Sequence, residues 1–192
     1  MNEQANEHVV RAIQALDAAQ IPHMLVGAFS SNTYGIERST KDADFVIELG
    51  DRSIVPVADA LMPDFSLDRQ ISFESVTLIS KYEARHVVTG FMIEFFLLAD
   101  EAFHRERFSR RRPFPFGPVT AYLPTAEDVI VQKLRWYGRK KRTKDLDDAK
   151  DVTNVQSRNL DLAYIRRWCD QHGTREQFEQ LYEESKQFEQ ES

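Results

Sequence analysis

The sequence contains one cysteine, Cys169, and no uninterrupted apolar run long enough to cross a bilayer. A single cysteine excludes an intramolecular disulfide, which suits a reducing compartment. The polar, acidic start MNEQANEHVV is the opposite of a secretory signal. We therefore expect a cytoplasmic protein without a membrane partner.

The motifs of several large enzyme classes are also missing. The chain has no Gly-x-x-x-x-Gly-Lys phosphate loop and no Gly-x-Ser-x-Gly nucleophile motif. Its histidines are scattered and do not form a set with the spacing of zinc ligands. P-loop, serine-hydrolase and zinc-enzyme hypotheses therefore have no support in the sequence.

The composition is that of an ordinary folded protein, with 42% hydrophobic and 29% charged residues in a chain of 192. The net charge is −6, but the stretch from Arg105 to Lys144 holds twelve Lys and Arg against three Asp and Glu, a local +9. A concentrated basic stretch in an acidic protein indicates either a phosphate-bearing partner or a solvated helix face. Charge alone does not decide between the two.

The apolar patterns divide the chain into an α/β first part and a helical second part. Thr125 and Asp128 form a capping-box pattern that begins a helix, and the chain after Asp145 is predicted to be helical to its end. We predict a mixed sheet flanked by helices in residues 1–122, and a C-terminal helical region in residues 123–192. The predicted strands are 23–27, 43–49, 75–80, 86–98 and a short one at 119–123, and the predicted helices of the first part are 3–20, 28–35, 52–62 and 100–110.

Two aspartates stand at the head of an apolar strand in the segment STKDADFVIEL, residues 39–49. Side chains alternate along a strand, so Asp42 and Asp44 project from the same face, roughly 6–7 Å apart. At that distance two carboxylates can converge on one cation. Without a cation they repel each other, and the pKa of at least one should rise.

A third acid, Glu94, lies in the second very apolar segment, HVVTGFMIEFFLL. A continuous apolar run suggests a strand that is covered on both faces, where a lone carboxylate is costly to bury. If the two strands are neighbours, Glu94 can join Asp42 and Asp44 in a hard oxygen site that suits Mg²⁺ and substrate phosphates. The alternative is that each acid pairs with a basic side chain. Arg38 and Lys41 can serve Asp42, but the sequence offers Glu94 no local basic partner, which favours the metal.

A strand ends at Gly27 just before this motif, and the chain then turns into a short helix. Glycine permits close approach of a ligand to the backbone, and the start of a helix attracts phosphate. The hydroxyl groups of Ser30 and Ser31 add to that possibility. Taken alone, a strand–Gly–helix turn more often reflects packing than phosphate binding.

The segment LVGAFSSNTYGIERSTKDADFVIEL, residues 25–49, resembles the signature of the nucleotidyltransferase fold, in the branch of AbiEii-like toxins and related bacterial proteins. Arg38, Thr40, Asp42 and Asp44 match that branch's Arg-x-Thr-x-Asp-x-Asp pattern, and Glu94 stands at the position of the family's third carboxylate. Lys133 and the segment RTKDLDDAKDV, residues 142–152, match its helix lysine and its Lys-Asp-Leu-x-Asp stretch. The resemblance covers roughly residues 20 to 152.

The resemblance implies a nucleotidyltransferase-like mixed sheet and a transfer of NMP from an NTP to an acceptor hydroxyl. Asp42, Asp44 and Glu94 would be catalytic and would bind Mg²⁺ or Mn²⁺, with Glu94 also able to act as base. The implied nucleotide-binding residues are Gly27, Ala28, Ser30, Ser31, Arg38, Thr40 and Lys133. The implied acceptor- or phosphate-binding residues are Arg139, Lys140, Lys141 and Lys144.

Three hypotheses about function remain open on the sequence alone. The first is a nucleotidyltransferase acting on RNA, tRNA or protein, as the toxin of a toxin–antitoxin pair with a cognate antitoxin protein as partner. The second is a degenerate relative that binds nucleotide, RNA or a partner without turnover. The third is a small-molecule, aminoglycoside-type nucleotidyltransferase, for which we expect an acidic rather than a basic acceptor cleft.

Overall fold

A computed structural model describes residues 3–73 and 79–191, with side chains as far as residue 187. The residues group into two compact units. One runs to Phe29, resumes at Arg38 and ends at Pro124, and the other consists of Ser30–Glu37 and the chain from Thr125 onward. The division into domains 1–122 and 123–192 stays a prediction, because compactness does not show that either part folds alone.

The first unit is an α/β structure, as predicted. Its helices are α1 (Glu3–Ala18), the first residues of α2 (Gly27–Tyr34), α3 (Val55–Leu61) and α4 (Ala102–Ser109). Its strands are β1 (His23–Val26), β2 (Asp42–Ile47), β3 (Phe65–Phe73), β4 (Ser80–His86), β5 (Met92–Leu97), β6 (Arg112–Phe116) and β7 (Val119–Leu123).

The main sheet is mixed and has the strand order β1-β2-β5-β4-β3, while β6 and β7 form a separate hairpin. Strands β2 and β5 are parallel, and the other neighbouring pairs are antiparallel. One face of the sheet carries Phe45, Ile93 and Phe95, which pack into a core with the apolar stripes of α1 and α3. The opposite face is only partly covered along β2 and β5, and the acidic side chains lie on it.

The long apolar segment 86–98 is not one strand covered on both faces, as the sequence suggested. Strand β4 ends at His86, the chain turns at residues 87–89, and β5 begins at Met92. The side chains of β5 alternate between buried and half-buried, because one face of the sheet packs on the core and the other does not.

Two further strand predictions differ from the structure. The connector 110–124 contains two paired strands, β6 and β7, rather than the one short strand predicted, since its prolines alternate with residues that pair with β7. Strand β3 was not predicted, because its largely exposed side chains give it little apolar pattern. The predicted strand 75–80 lies mostly outside the described residues, and β4 begins at its last residue.

The second unit is helical from Thr125 onward. Its elements are the remainder of α2, α5 (Ala126–Lys140), α6 (Thr143–Gln156), a short 3-10 helix (Ser157–Asn159), α7 (Leu162–His172) and α8 (Arg175–Glu191). The capping box at Thr125 and Asp128 is present, and Tyr164 donates a further hydrogen bond to the other oxygen of Asp128. None of the described helices combines the length and the apolar character that a membrane crossing requires.

Candidate active site

The two aspartates of the motif lie at the start of β2 and on the same, partly open face of the sheet. Asp42 is the first residue of the strand and is exposed, while Asp44 is half-buried between the core residues Ala43 and Phe45. Thr40 Oγ1 donates a hydrogen bond to Asp42 Oδ1 over 2.6 Å, which fixes that carboxylate at the strand entrance. The alternation thus places both carboxylates on one face, as the spacing predicts.

Gly27 lies directly against Asp44. Val26 of β1 pairs in register with Asp44, so the turn from β1 into α2 passes beside the aspartate. A Cβ atom on Gly27 would stand 2.0 Å from Asp44 Oδ2, and the backbone of Gly27 has φ +62°. Only glycine meets both conditions easily, since it has no Cβ and adopts left-handed angles readily. The strand–Gly–helix turn and the carboxylate are therefore one structural feature.

The third predicted acid stands beside the first two, in the neighbouring strand. Strands β2 and β5 pair so that Asp44 is in register with Glu94, and Asp42 with Met92. Residues in register on paired strands point to the same face of a sheet. The condition that these strands be neighbours is met by this pairing, while the catalytic and metal-binding roles of the three acids stay predictions.

Glu94 does have a basic partner, contrary to the expectation from the sequence. Lys81 of β4 donates a hydrogen bond to Glu94 Oε1, and its ammonium also lies 2.7 Å from Glu83 Oε1. The sequence concealed this partner because Lys81 is distant along the chain and reaches Glu94 only through the β4–β5 pairing. The ion-pair alternative therefore accounts for Glu94 in this structure.

The charges of this ion-pair cluster stabilise one another. Burial alone would lower the pKa of Lys81, but the pKa is raised, because Glu83 and Glu94 accept hydrogen bonds from the ammonium. The hydrogen bond from Lys81 lowers the pKa of Glu83. Lys81 and Glu83 are accordingly both charged at neutral pH.

A row of acidic side chains crosses the sheet on the face of the site. Asp44 is in register with Glu94, Glu94 with Glu83, and Glu83 with Asp68 of β3. Four neighbouring strands thus each contribute one carboxylate to the same row, and Lys81 projects from the same face. Sequence reasoning missed Glu83, Lys81 and Asp68. The alternation in SKYEARH, with Tyr82 and Ala84 buried, was the available signal.

The ligand chemistry of the three acids suits Mg²⁺, but their arrangement in this structure does not form a metal site. Carboxylate oxygens are the ligands that Mg²⁺ prefers, and Asp42, Asp44 and Glu94 share a face and neighbouring strands. Within residues 3–73 and 79–191, however, no three His, Cys, Asp or Glu side chains are grouped closely enough to hold a metal. Glu94 forms an ion pair with the ammonium of Lys81 instead.

A cavity of about 300 Å³ lies beside the entrance of β2. Thr40 and Lys41 line one side of it, and Thr89, Gly90 and Phe91 of the β4–β5 turn line another. The cavity belongs to the first unit and adjoins the segment that leads into Asp42. Gln4, Ala5 and His8 of α1 complete its lining, so it opens toward the face of the sheet that α1 covers, and neither aspartate lines it.

The predicted nucleotide-binding residues are divided between the two units. Gly27, Ala28, Arg38 and Thr40 belong to the first unit, whereas Ser30 and Ser31 belong to the second. Ala28, Ser30 and Ser31 are buried, and Arg38 and Thr40 are half-buried. Their nucleotide-binding roles stay predictions.

Lys133 is buried in the second unit, where its ammonium lies 2.6 Å from Asp148 and 3.5 Å from Asp145. Arg142 donates a hydrogen bond to the other oxygen of Asp145 over 2.9 Å. Asp145 and Asp148 thus both pair with basic residues of the same unit. The predicted contact of Lys133 with the nucleotide stays a prediction, and in this structure the ammonium joins α5 to α6.

The predicted acceptor-binding residues lie at the end of α5, at its C-cap and in the first turn of α6. Arg139, Lys141 and Lys144 are exposed, and Lys140 is half-buried. The Lys140 ammonium lies 5.7 Å from the ring centroid of Trp136, a cation–π distance. This part of the second unit is basic, as the charge count predicts, and its binding role stays a prediction.

Comparison with known proteins supports the fold. The sequence matches no protein-family model, and no curated protein matches it. The solution structure of the antibiotic-resistance factor ANT(2'')-Ia is similar, with a TM-score of 0.60, 10% identity and 100% of both chains covered. The crystal structure of ANT(2'')-Ia in complex with adenylyl-2''-tobramycin has a TM-score of 0.58 at 11% identity, over 91% of this chain and 99% of that one.

A third similar structure is that of an antigenic nucleotidyltransferase-like protein from Paracoccidioides brasiliensis. It has a TM-score of 0.55 at 15% identity, and the alignment covers 95% of this chain and 94% of the other. These similarities show that the chain has a nucleotidyltransferase-like fold. Sequence identities this low do not indicate the function, because one fold hosts many activities. The function has to be argued from the residues of the site. Assignment to the AbiEii-like branch stays a prediction.

Proposed function

We propose that the protein is a metal-dependent nucleotidyltransferase that moves an NMP unit from an NTP to an acceptor hydroxyl. One observation carries the proposal. Asp44 lies against Gly27 on one side and is in register with Glu94 on the other, on the open face of a sheet of nucleotidyltransferase-like fold. Packing alone does not require a carboxylate at that point, and carboxylates gathered there suit a divalent ion.

Asp42, Asp44 and Glu94 would hold Mg²⁺ or Mn²⁺, and the bound ions would stabilise charge on the attacking and leaving oxygens. Thr40 orients Asp42 through its hydrogen bond. Glu94 would accept the proton of the acceptor hydroxyl. The start of α2 at Gly27 would face the phosphates of the NTP, where the helix dipole favours negative charge.

Within the first unit, Ala28 and Arg38 would supply further nucleotide contacts. The nucleotide-binding roles of Ser30, Ser31 and Lys133 in the second unit are proposed from the resemblance alone. Since Ser30 and Ser31 are buried, the backbone of the first turn would contact phosphate more readily than their hydroxyl groups. The basic end of α5 would neutralise phosphates of the nucleotide or of an RNA acceptor.

The acceptor is proposed separately, because different observations favour different classes. The basic stretch of the second unit supports RNA, tRNA or a protein acceptor, with the protein acting as the toxin of a toxin–antitoxin pair. The carboxylate row supports a small cationic acceptor, which negative charge attracts. A similar structure holds adenylyl-2''-tobramycin. On these observations we place the cationic small molecule as the second candidate.

A binding module without turnover is the alternative in a different class. The ion pair between Lys81 and Glu94 supports it, because an ammonium that stays on Glu94 Oε1 blocks that oxygen and repels a metal ion beside it. In that case the protein would bind nucleotide without transferring it. A transfer assay separates this possibility from the enzyme.

The experiment incubates the protein with each α-labelled NTP, Mg²⁺ or Mn²⁺, and one of three acceptors: total RNA, cell lysate protein or tobramycin. We expect transfer of label to one acceptor class, and loss of transfer to background in Asp42→Asn and Asp44→Asn, because an amide does not replace a bridging carboxylate. Asp51→Asn is the matched control, since Asp51 is exposed and lies outside the site.

Four outcomes bear on the proposal. Label on tobramycin alone supports the small-molecule acceptor, and label on RNA or protein supports the first class. If nucleotide binds and no acceptor is labelled by the wild-type protein, the binding module is the better description. If Asp44→Asn transfers label as well as Asp51→Asn does, the proposed site is wrong.

A further inference from the structure

We propose that Lys81 is a positioning residue. In the metal-free protein its ammonium pairs with Glu94, and it releases Glu94 when a divalent ion binds. This inference rests on the proposed function, since the ion is the one held by Asp42, Asp44 and Glu94. It assigns a role to a residue that the sequence analysis did not single out.

The contact between Lys81 and Glu94 is direct and partly shielded from water. The ammonium forms a hydrogen bond with Glu94 Oε1, and the Lys81 and Glu94 side chains are 14% and 22% exposed. Lys81 comes from β4 and is in register with Phe96, so its stem crosses the sheet face toward Glu94. An ammonium on this oxygen and a metal ion on this oxygen exclude each other. Metal binding through Glu94 Oε1 therefore requires Lys81 to withdraw.

Glu83 provides the place to which Lys81 withdraws. Its Oε1 atom lies 2.7 Å from the ammonium and its side chain is 39% exposed. Lysine has a flexible four-carbon stem, so the ammonium can leave Glu94 and keep Glu83. The Phe96 ring, with its centroid 5.7 Å from the ammonium, also favours a cation there. The exchange thus leaves no partly buried charge without a partner, which would be costly.

The exchange has a consequence for metal affinity that can be measured. Lys81 competes with the metal for Glu94, so removing its charge should strengthen metal binding. Glu83 competes with Glu94 for Lys81, so removing the charge of Glu83 should weaken metal binding, although Glu83 is not a ligand. The effect of Glu83 passes through Lys81 and should disappear once Lys81 is gone.

The test is calorimetric titration with Mn²⁺, alone and with a non-hydrolysable ATP analogue, on the wild type and on K81M, K81R, E83Q and the K81M/E83Q double variant. We expect K81M to bind Mn²⁺ roughly three- to tenfold more tightly, the scale of one partly buried ion pair. K81R retains the charge and should bind close to the wild type. E83Q should bind several-fold more weakly, and K81M/E83Q should bind like K81M.

Two variants control for simple electrostatics. Arg85→Met removes a positive charge from the same strand and the same face, two residues beyond Glu83. Asp68→Asn removes a negative charge from the same carboxylate row, one strand beyond Glu83. Both should change Mn²⁺ affinity less than K81M and E83Q do. If K81M does not fold, the difference between K81R, which should bind close to the wild type, and E83Q, which should bind more weakly, still tests the exchange.

The failure of this inference is distinguishable from failure of the proposed function. If Asp44→Asn abolishes Mn²⁺ binding while K81M binds Mn²⁺ like the wild type, the exchange is wrong, and the proposed metal-dependent function is not contradicted. Additive effects of K81M and E83Q also overturn the exchange, because they would indicate two independent charges. If none of these proteins binds Mn²⁺, the metal-dependent function is contradicted, and the exchange with it.

Discussion

Because Gly27 has no side chain, the carboxylate of Asp44 occupies the space that a Cβ atom at position 27 would fill. Its left-handed backbone turns the chain from β1 into α2, and its missing Cβ leaves space for the carboxylate. The residue thus links the turn expected to face phosphate to the acid expected to bind metal. A single glycine matters here for two separable reasons, the backbone angle and the close approach.

A comparison of Gly27→Ala with Gly90→Ala separates the effect of the backbone angle from the effect of the close approach. Gly90 has φ +71°, and a Cβ atom added there would have no neighbour within 4 Å among the described residues, so its replacement should cost only the left-handed strain, about 1–2 kcal/mol. Gly27→Ala should cost more in urea unfolding, because the methyl group also displaces Asp44. It should reduce label transfer to background, whereas Gly90→Ala should retain it. Equal stability and equal activity of the two variants would contradict this role of Gly27.

The candidate catalytic acids were predictable from the sequence because their signal is local. Asp42 and Asp44 are two residues apart within one strand, and Glu94 interrupts an apolar one. Lys81 was not predictable in the same way, because its contact depends on the pairing of β4 with β5. Recognising the contact of Lys81 with Glu94 requires knowing that the chain turns at residues 87–89. The largely apolar composition of segment 86–98 hides that turn.

Helices α5 and α6 are joined by a buried ion pair rather than only by apolar contacts. The Lys133 ammonium lies 2.6 Å from Asp148, and both side chains are almost fully buried. A buried charge that loses its partner is strongly destabilising, whereas replacing both partners by apolar groups is often tolerated. The pair therefore fixes how these two helices meet.

We predict that Lys133→Met lowers the free energy of unfolding by about 3–5 kcal/mol, since Asp148 would remain buried without its nearest cation. Lys133→Met combined with Asp148→Leu should cost less than the sum of the single changes. Lys150→Met is the control, because Lys150 pairs with Glu184 at the surface of the same unit and should cost no more than about 1 kcal/mol. Trp136 and Trp168 report the unfolding by fluorescence. Equal losses in Lys133→Met and Lys150→Met would contradict a structural role for the buried pair.

Elements with strong local signals were predicted well, and elements defined by pairing were not. The capping box at Thr125 begins α5 as expected, because all its atoms come from four consecutive residues. The edge strand β3 and the strand β6 have mostly exposed side chains, so their identity comes from partners elsewhere in the chain. The grouping of Ser30–Glu37 with the C-terminal helices has no sequence signal, since it depends on tertiary contacts.

At the scale of the whole molecule, the pH dependence of stability is set partly by buried histidines of the first unit. Burial lowers the pKa of His23, and burial together with the neighbouring His86 lowers the pKa of His8. His23 Nδ1 lies 3.1 Å from the Ile21 carbonyl oxygen, to which the neutral ring donates a hydrogen bond. The ring also packs edge-on against Phe45, in the core of the sheet.

The sign of the effect follows from these shifts. Because the folded-state pKa of His23 lies below its unfolded value of about 6.5, the unfolded chain takes up a proton first as the pH falls. The stability that the neutral ring contributes is complete above pH 6.5 and is lost as the pH falls toward the folded pKa. One such proton changes the free energy of unfolding by at most about 1.4 kcal/mol per pH unit.

Urea unfolding at pH 7.5, 6.5 and 5.5, followed by far-UV circular dichroism, tests this prediction. Circular dichroism reports on both units, whereas both tryptophans, Trp136 and Trp168, belong to the second unit. We expect stability to fall across this range, and His23→Asn to flatten the fall, since its amide can replace the Nδ1 donor without titrating. Asp17→Asn should steepen it, because the Asp17 carboxylate, 3.9 Å from Nδ1, raises the pKa of His23. A slope that is unchanged in both variants would show that His23 does not govern stability in this range, because the two substitutions act on its protonation in opposite ways.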